Sequence, residues 1–246
     1  MTEPGRDAPV ALVTGSSSGI GAAVARRLAA EGMRVVVNSA RSQEAGRKVA
    51  AELPDAFYVA ADISVREQAE ALVAAAVERY GRLDVLVNSA GVTRVVPHQD
   101  FEGASAEVWR EILDVNVIGT WQVCVAALPH LRAGGDGCVV NVSSVAGLRP
   151  AGSSVPYAVS KAALNHMTRL LAAVTGPEVR VNAVAPGLTD TEWTADFEEP
   201  RRWMRTHSPL RRVGTPEEVA EAVLAMINAR WTTGEILLTD GGTHLR

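Results

Sequence analysis

At 246 residues and 47% hydrophobic content, the chain is long enough to bury a sizeable core, and α/β proteins of this length often form a single domain. A net charge of −4 without a long single-sign block gives no footprint of a nucleic-acid or anionic-membrane binder. There is no run of 18 apolar residues, and the opening "MTEPGRDAP" lacks the charged start and apolar centre of a signal peptide, so a cytoplasmic protein with a loose tail over 1–9 is expected.

In chain order, "VALVT" (10–14) reads as a first strand, and "VTGSSSGIGAAVARRL" as a turn that opens a helix. Gly15, Gly19 and Gly21 follow a GxxxGxG spacing rather than GxGxxG. Glycines here permit a tight turn and close backbone approach. The helix start offers unpaired N–H groups and a positive dipole end to a phosphate, and Ser16, Ser17 and Ser18 add hydroxyl donors. "RVVVN" (34–38) is the second strand. An acidic residue near its end would bond the ribose 2′-OH of NAD and repel the 2′-phosphate of NADP. From Gly32 to Gln43 there is no Asp or Glu; Arg41 and Ser42 stand there instead. A charge-assisted bond from Arg41 to a phosphate would contribute roughly 1.5 to 3 kcal/mol, so NADP(H) is favoured over NAD(H).

Five further strands follow: "AFYVA" (56–60), "DVLVN" (84–88), "GCVVNV" (137–142), "VRVNAVA" (179–185) and "EILLTD" (235–240). Stretches of helical period such as "REQAEALVAAAVERYG" and "SAEVWREILDVNVIGTWQVCVAALPHL" separate them, the pattern of a parallel sheet covered on both faces. Cys124 and Cys138 sit in apolar surroundings and read as buried reduced thiols; the five His form no HExxH, so no metal site is expected.

"SSVPYAVSKAAL" (153–164) places Tyr157 and Lys161 four apart, on one helical face, with Pro156 marking a first turn. The chain has 22 Arg but only two Lys, Lys48 and Lys161, so a lysine here is unusual for this protein. The stretch from 191 to 214, "TEWTADFEEPRRWMRTHSPLRRVG", interrupts the α/β alternation with two Trp, a Phe, a Met and five Arg. It is either a segment that covers a substrate or an amphipathic helix whose charges neutralise each other.

These residues resemble the short-chain dehydrogenase/reductase family in its short, one-domain form. The likeness is carried by "TGSSSGIG" (14–21), "DIS" (62–64), "NSAG" (88–91), "VN" (115–116), "NVSS" (141–144), "YAVSK" (157–161), "RVNAVAPG" (180–187) and "DGG" (240–242). The resemblance implies a Rossmann-type doubly wound sheet of seven parallel strands and reversible carbonyl/alcohol chemistry with a nicotinamide cofactor. It implies a catalytic set of Asn116, Ser144, Tyr157 and Lys161, with Ser144 chosen over Ser143 because it lies 13 residues before Tyr157. Gly15, Ser17, Ser18, Gly19, Ile20 and Gly21 would hold the cofactor phosphates, and Asp62 and Ile63 would flank adenine. Asn88, Ala90 and Gly91 would floor the adenosine; Pro186, Gly187, Thr189 and Thr191 would hold the nicotinamide end. Lys161 would also grip the nicotinamide ribose, and Asn116 would pass protons through a bound water.

Hydride addition to a ketone leaves charge on its oxygen, so a proton donor and a second hydrogen-bond donor must meet there. Tyr157 and Ser144 fill those roles, with Lys161 expected to lower the phenol pKa. The leading expectation is an NADP(H)-dependent reductase of a 3-oxoacyl or related ketone, most like the 3-oxoacyl-carrier-protein reductases. Its substrate could be carried by an acidic acyl carrier docked on Arg201, Arg202, Arg205, Arg211 and Arg212. An NAD-dependent alcohol, polyol or steroid dehydrogenase is the enzyme alternative, and a cofactor-binding regulator or scaffold the non-catalytic one. The resemblance also implies a homotetramer or homodimer built on the helices around 104–131 and 155–174.

Overall fold

The central strands are apolar at successive positions because alternate residues enter two different cores. The computed structural model describes residues 8–245. Its strands are β1 (Val10–Thr14), β2 (Arg34–Ser39), β3 (Ala56–Ala60), β4 (Val85–Asn88), β5 (Gly137–Val142), β6 (Val179–Pro186) and β7 (Ile236–Thr239). They form one parallel sheet in the order β3-β2-β1-β4-β5-β6-β7. Ala11, Val13, Val85 and Val87 face one core, with α1 (Gly19–Ala30), α2 (Gln43–Ala51) and α8 (Pro216–Asn228). Val10, Leu12 and Leu86 face the other, with α3 (Arg66–Tyr80), α5 (Thr120–Ala133) and α6 (Val155–Thr175).

The sheet runs outward in both directions from β1 and β4. In such sheets the crevice beyond the carboxyl ends of the strands, where the order reverses, receives the ligand. All seven expected strands are present. Residues 1–7 of the expected tail lie outside the described residues, but Ala8 and Pro9 are not loose. Arg34 donates from its guanidinium to the Ala8 carbonyl at 2.8 Å and from its backbone N–H to the Pro9 carbonyl at 2.9 Å.

The long helical stretch after β4 departs from its expected continuity. α4 (Ala106–Leu113) passes into a π-helical turn, Asp114–Gly119, before α5. Wide turns of this kind are frequent at functional sites, and this one contains Asn116, with its carbonyl accepting from Thr120 Oγ1 at 3.1 Å. The whole run Ala106–Ala133 is long and apolar enough to cross a bilayer by length and composition. Val123, Cys124, Ala127 and Leu131 are buried in the core beneath the sheet, which accounts for its apolar character. Burial pushes the Cys124 thiol up to about 12 and the Cys138 thiol up to about 11, so both stay protonated.

Candidate active site

The glycine loop is held by the strand ends around it. Ser16 N–H donates to the Asn38 carbonyl at 2.8 Å, and Asn38 Oδ1 accepts from Gly15 N–H at 3.4 Å. Asn38 Nδ2 donates to the carbonyls of Val59 and Ala61, so one buried amide ties the ends of β1, β2 and β3 together. Thr14 Oγ1 accepts from the N–H groups of Ser89 and Ala90, both at 3.1 Å, and fixes the loop after β4 against the same turn.

Gly15, at φ +63°, lies so close to that loop that a Cβ would sit 2.6 Å from Ala90 Cα. Ser18 is the N-cap of α1 but its hydroxyl does not cap, unlike Ser154 before α6 or Thr215 before α8. The first turn of α1 therefore keeps N–H donors for an anion, in a cradle with no side chain in the way, which fits a dinucleotide phosphate. A Cβ on Gly21 would approach the Gly15 carbonyl oxygen to 2.3 Å. Gly21→Ala is expected to lower stability by roughly 1–3 kcal/mol and to weaken dinucleotide binding, read by thermal melting and by titration with NADPH.

A cleft of about 1290 Å³ opens at the switch point. Its walls include Gly15, Ser17, Ser18, Gly19, Ile20 and Gly21 on one side. Ala90, Gly91, Pro186, Gly187, Thr189 and Thr191 line it further along. Ser144, Tyr157 and Lys161 lie on the same wall system, so the sequence-predicted loop and reaction centre share one space. Tyr157 occupies the first turn of α6, where its N–H is capped by Ser154 Oγ at 3.3 Å. Gly147 fits tightly against that helix: a Cβ there would be 2.6 Å from the Lys161 carbonyl carbon.

Of the two adjacent serines, Ser144 addresses Tyr157. Burial raises the Tyr157 pKa, and a hydrogen bond with the Ser144 side chain opposes that rise. Ser143 Oγ instead donates to the Lys161 carbonyl at 3.3 Å. Ser144 also caps the short turn Val145–Gly147, accepting from Ala146 N–H at 3.1 Å. Lys161 is only 5% exposed; its Nζ donates to the Val142 carbonyl at 2.9 Å and lies 5.8 Å from the Tyr157 ring centre. Burial lowers its pKa to about 8. The expected lowering of the Tyr157 pKa by Lys161 is not present in the protein alone, where burial of the phenol prevails.

The other expected residues are not among the cleft's lining. Asn116 lies behind Gly91 rather than in the cleft wall. Its Oδ1 accepts from Val92 N–H at 2.8 Å, and its Nδ2 donates to the Val92 carbonyl and to Ser160 Oγ, both at 3.0 Å. Ser160 Oγ in turn donates to the Tyr157 carbonyl at 2.7 Å, so Asn116 ties the first turns of α6 to the loop after β4. Asn88 turns its side chain into the core, where Nδ2 donates to Asn141 Oδ1 at 2.9 Å; it does not floor the cleft. Asp62 accepts from Ser64 through one carboxylate oxygen, and Ile63 is buried against Gly119. Arg41 and Ser42 are exposed just beyond β2.

Sequence reasoning missed Asn38, read only as a non-acidic position, and Trp193, whose ring meets Tyr157 edge-on at 6.2 Å and 64°. Two aromatics in separate motifs gave no spacing signal by which to pair them. The segment 190–214 is pinned at its base: Asp190 N–H donates to the Gly214 carbonyl and Gly214 N–H to that of Leu188. Within it lie the turn Glu192–Thr194 and α7 (Glu198–His207), and both line the cleft. Two of its five arginines are engaged locally, Arg201 with Asp190 and Arg212 with Glu218.

The fold and this site together define an oxidoreductase of the Rossmann class. A family model described as enoyl-(acyl carrier protein) reductase matches residues 15–244, and the chain belongs to the short-chain dehydrogenase/reductase family. It is 64% identical to "Granaticin polyketide synthase putative ketoacyl reductase 2" of Streptomyces violaceoruber over the whole of both chains. It is 40% identical to glucose 1-dehydrogenase 2 of Bacillus subtilis, over 96% of this chain and 94% of that protein. A crystal structure described as a "putative short-chain dehydrogenase/reductase" from Burkholderia xenovorans superposes with a TM-score of 0.91 at 36% identity, covering 98% of this chain and 99% of that one. Membership of the family implies a nicotinamide cofactor.

Proposed function

We propose that the protein is a cytoplasmic NADPH-dependent ketoreductase that converts a ketone of the 3-oxoacyl or polyketide type to a secondary alcohol. The observation that carries this reading is the convergence of the Ser144 and Tyr157 hydroxyls in the wall of the switch-point cleft, with the Lys161 ammonium behind them. The bound nicotinamide would supply the hydride. As the carbonyl carbon accepts it, the C=O bond becomes C–O, the Tyr157 O–H bond breaks to protonate that oxygen, and the Ser144 hydroxyl stabilises the developing charge. Two oxygen-directed donors suit a carbonyl better than the carbon–carbon double bond of an enoyl group. The name of the 64%-identical relative supports the ketoacyl class.

The preference for NADPH rests on the surroundings of the glycine loop. Arg41 follows three residues after Asn38, which holds that loop, and no carboxylate stands near the end of β2. A panel of ketones and 3-oxoacyl thioesters, followed by NADPH and NADH absorbance, tests the whole reading. Reduction of enoyl thioesters alone, or of nothing, overturns it. Arg41→Asp is expected to shift the NADPH/NADH ratio of kcat/KM by roughly 10- to 150-fold towards NADH. An unchanged ratio assigns the 2′-phosphate to another group.

Self-association belongs to the same reading. Ile118, Trp121 and Val125 on one helical run, and Val159, Leu170 and Val174 on α6, are exposed apolar residues on the helices expected to make a homotetramer or homodimer.

A further inference from the structure

The chain is poor in aromatic residues, with five Trp, three Tyr and three Phe. Tyr157, Trp193, Phe197 and Trp203 nevertheless line one cleft, joined by the buried Met204. Trp193 presents an edge-to-face contact to the proposed proton donor. Its ring tip also reaches the Gly91 turn, 3.8 Å from where a Cβ would stand. Trp203 is braced flat against His207, with ring centres 5.0 Å apart and planes 13° apart. Val145, Ala146, Pro150, Val96 and Pro97 add further apolar lining.

Flat, rigid rings gain from such walls through face and edge contacts, and lose little conformational freedom on binding; a linear acyl chain has rotors to immobilise. The charges at the cleft point the same way. Glu192, Asp196, Glu198 and Glu199 line it with one arginine, Arg149, whereas none of the arginines from 201 to 212 does. Those carboxylates disfavour an acidic carrier protein docked beside them.

We infer that the substrate is a free, fused-ring aromatic ketone, seated with its ring system against Trp193 and its carbonyl at Tyr157 and Ser144, rather than a linear acyl chain on a carrier. This rests on the ketoreductase reading and assigns Trp193 as the residue that sets ring preference.

The test compares 2-tetralone with the N-acetylcysteamine thioester of acetoacetate as substrates of the full chain, with NADPH and NADH both supplied. The expected kcat/KM for the tetralone exceeds that for the thioester by roughly 10-fold, the upper end of the scale of a well-placed aromatic contact. Trp193→Ala is expected to cost the tetralone at least about 10-fold more than it costs the thioester, mostly in KM, and Trp193→Phe to restore most of the difference. A thioester preference in the wild type, or equal losses for both substrates in Trp193→Ala, overturns the inference while leaving the ketoreductase reading intact. Failure to reduce either compound overturns both.

Discussion

Tyr157→Phe is expected to reduce ketone turnover by roughly 10²- to 10⁴-fold, the range for loss of a positioned general acid, with NADPH affinity largely retained. The ring stays in place because its packing against Trp193 and its position in the first turn of α6 do not depend on the hydroxyl. What disappears is the O–H that ends in the cleft beside Ser144. In the protein alone burial raises the phenol pKa, so Tyr157 carries its proton at neutral pH and is poised to donate it. Retention of most activity, with NADPH consumption followed by absorbance, would remove Tyr157 from the proton-donor role. Titration of protein fluorescence with NADPH separates that result from a failure to bind.

The order of strands and helices was legible because each segment carries a period that the sheet enforces. "VALVT" is apolar throughout, since Val10 and Leu12 serve one core while Ala11 and Val13 serve the other. Tyr157 and Lys161 were legible because a helix turns spacing in sequence into proximity in space. The π-helical turn around Asn116 was not, since nothing in "EILDVNVIGTW" breaks helical period; the turn reflects tertiary contacts, with Gly119 packed tightly on Ile63. Asn88 illustrates a related limit. A motif position says which strand end a residue occupies, but a strand sends alternate side chains to opposite faces, and Asn88 points to the Asn141 side of the sheet. Contacts between distant segments, such as Trp193 on Tyr157 or Asn38 on Gly15, have no local signature in the sequence.

Lys161→Met is the second large effect, and it has opposite signs for stability and activity. A buried ammonium whose pKa falls from 10.5 to about 8 is penalised by roughly 3 kcal/mol in the fold at neutral pH. Below about pH 8 the lysine is protonated both folded and unfolded, so that penalty is fully present; between about 8 and 10.5 the folded state releases its proton first and the penalty is relieved as pH rises. Methionine keeps the apolar stem, removes the charge and leaves the Val142 carbonyl without its donor, a loss of about 1 kcal/mol. The net expectation at pH 7 is a gain of about 2 kcal/mol, or roughly 4–8 °C in Tm for a chain of this size, together with near-complete loss of reduction. By pH 9.5 the stability gain should have narrowed markedly. Thermal melts of both proteins at the two pH values check this, and an equal difference at both would show that burial does not penalise the ammonium. The same titration bears on turnover: if the reaction needs the charged form, reduction declines as pH rises through about 8. Arginine, the cation this chain uses almost everywhere else, would stay charged across that range and bring five donors into a pocket where Lys161 satisfies one carbonyl, so the residue that destabilises the fold least while supplying a point charge there is lysine.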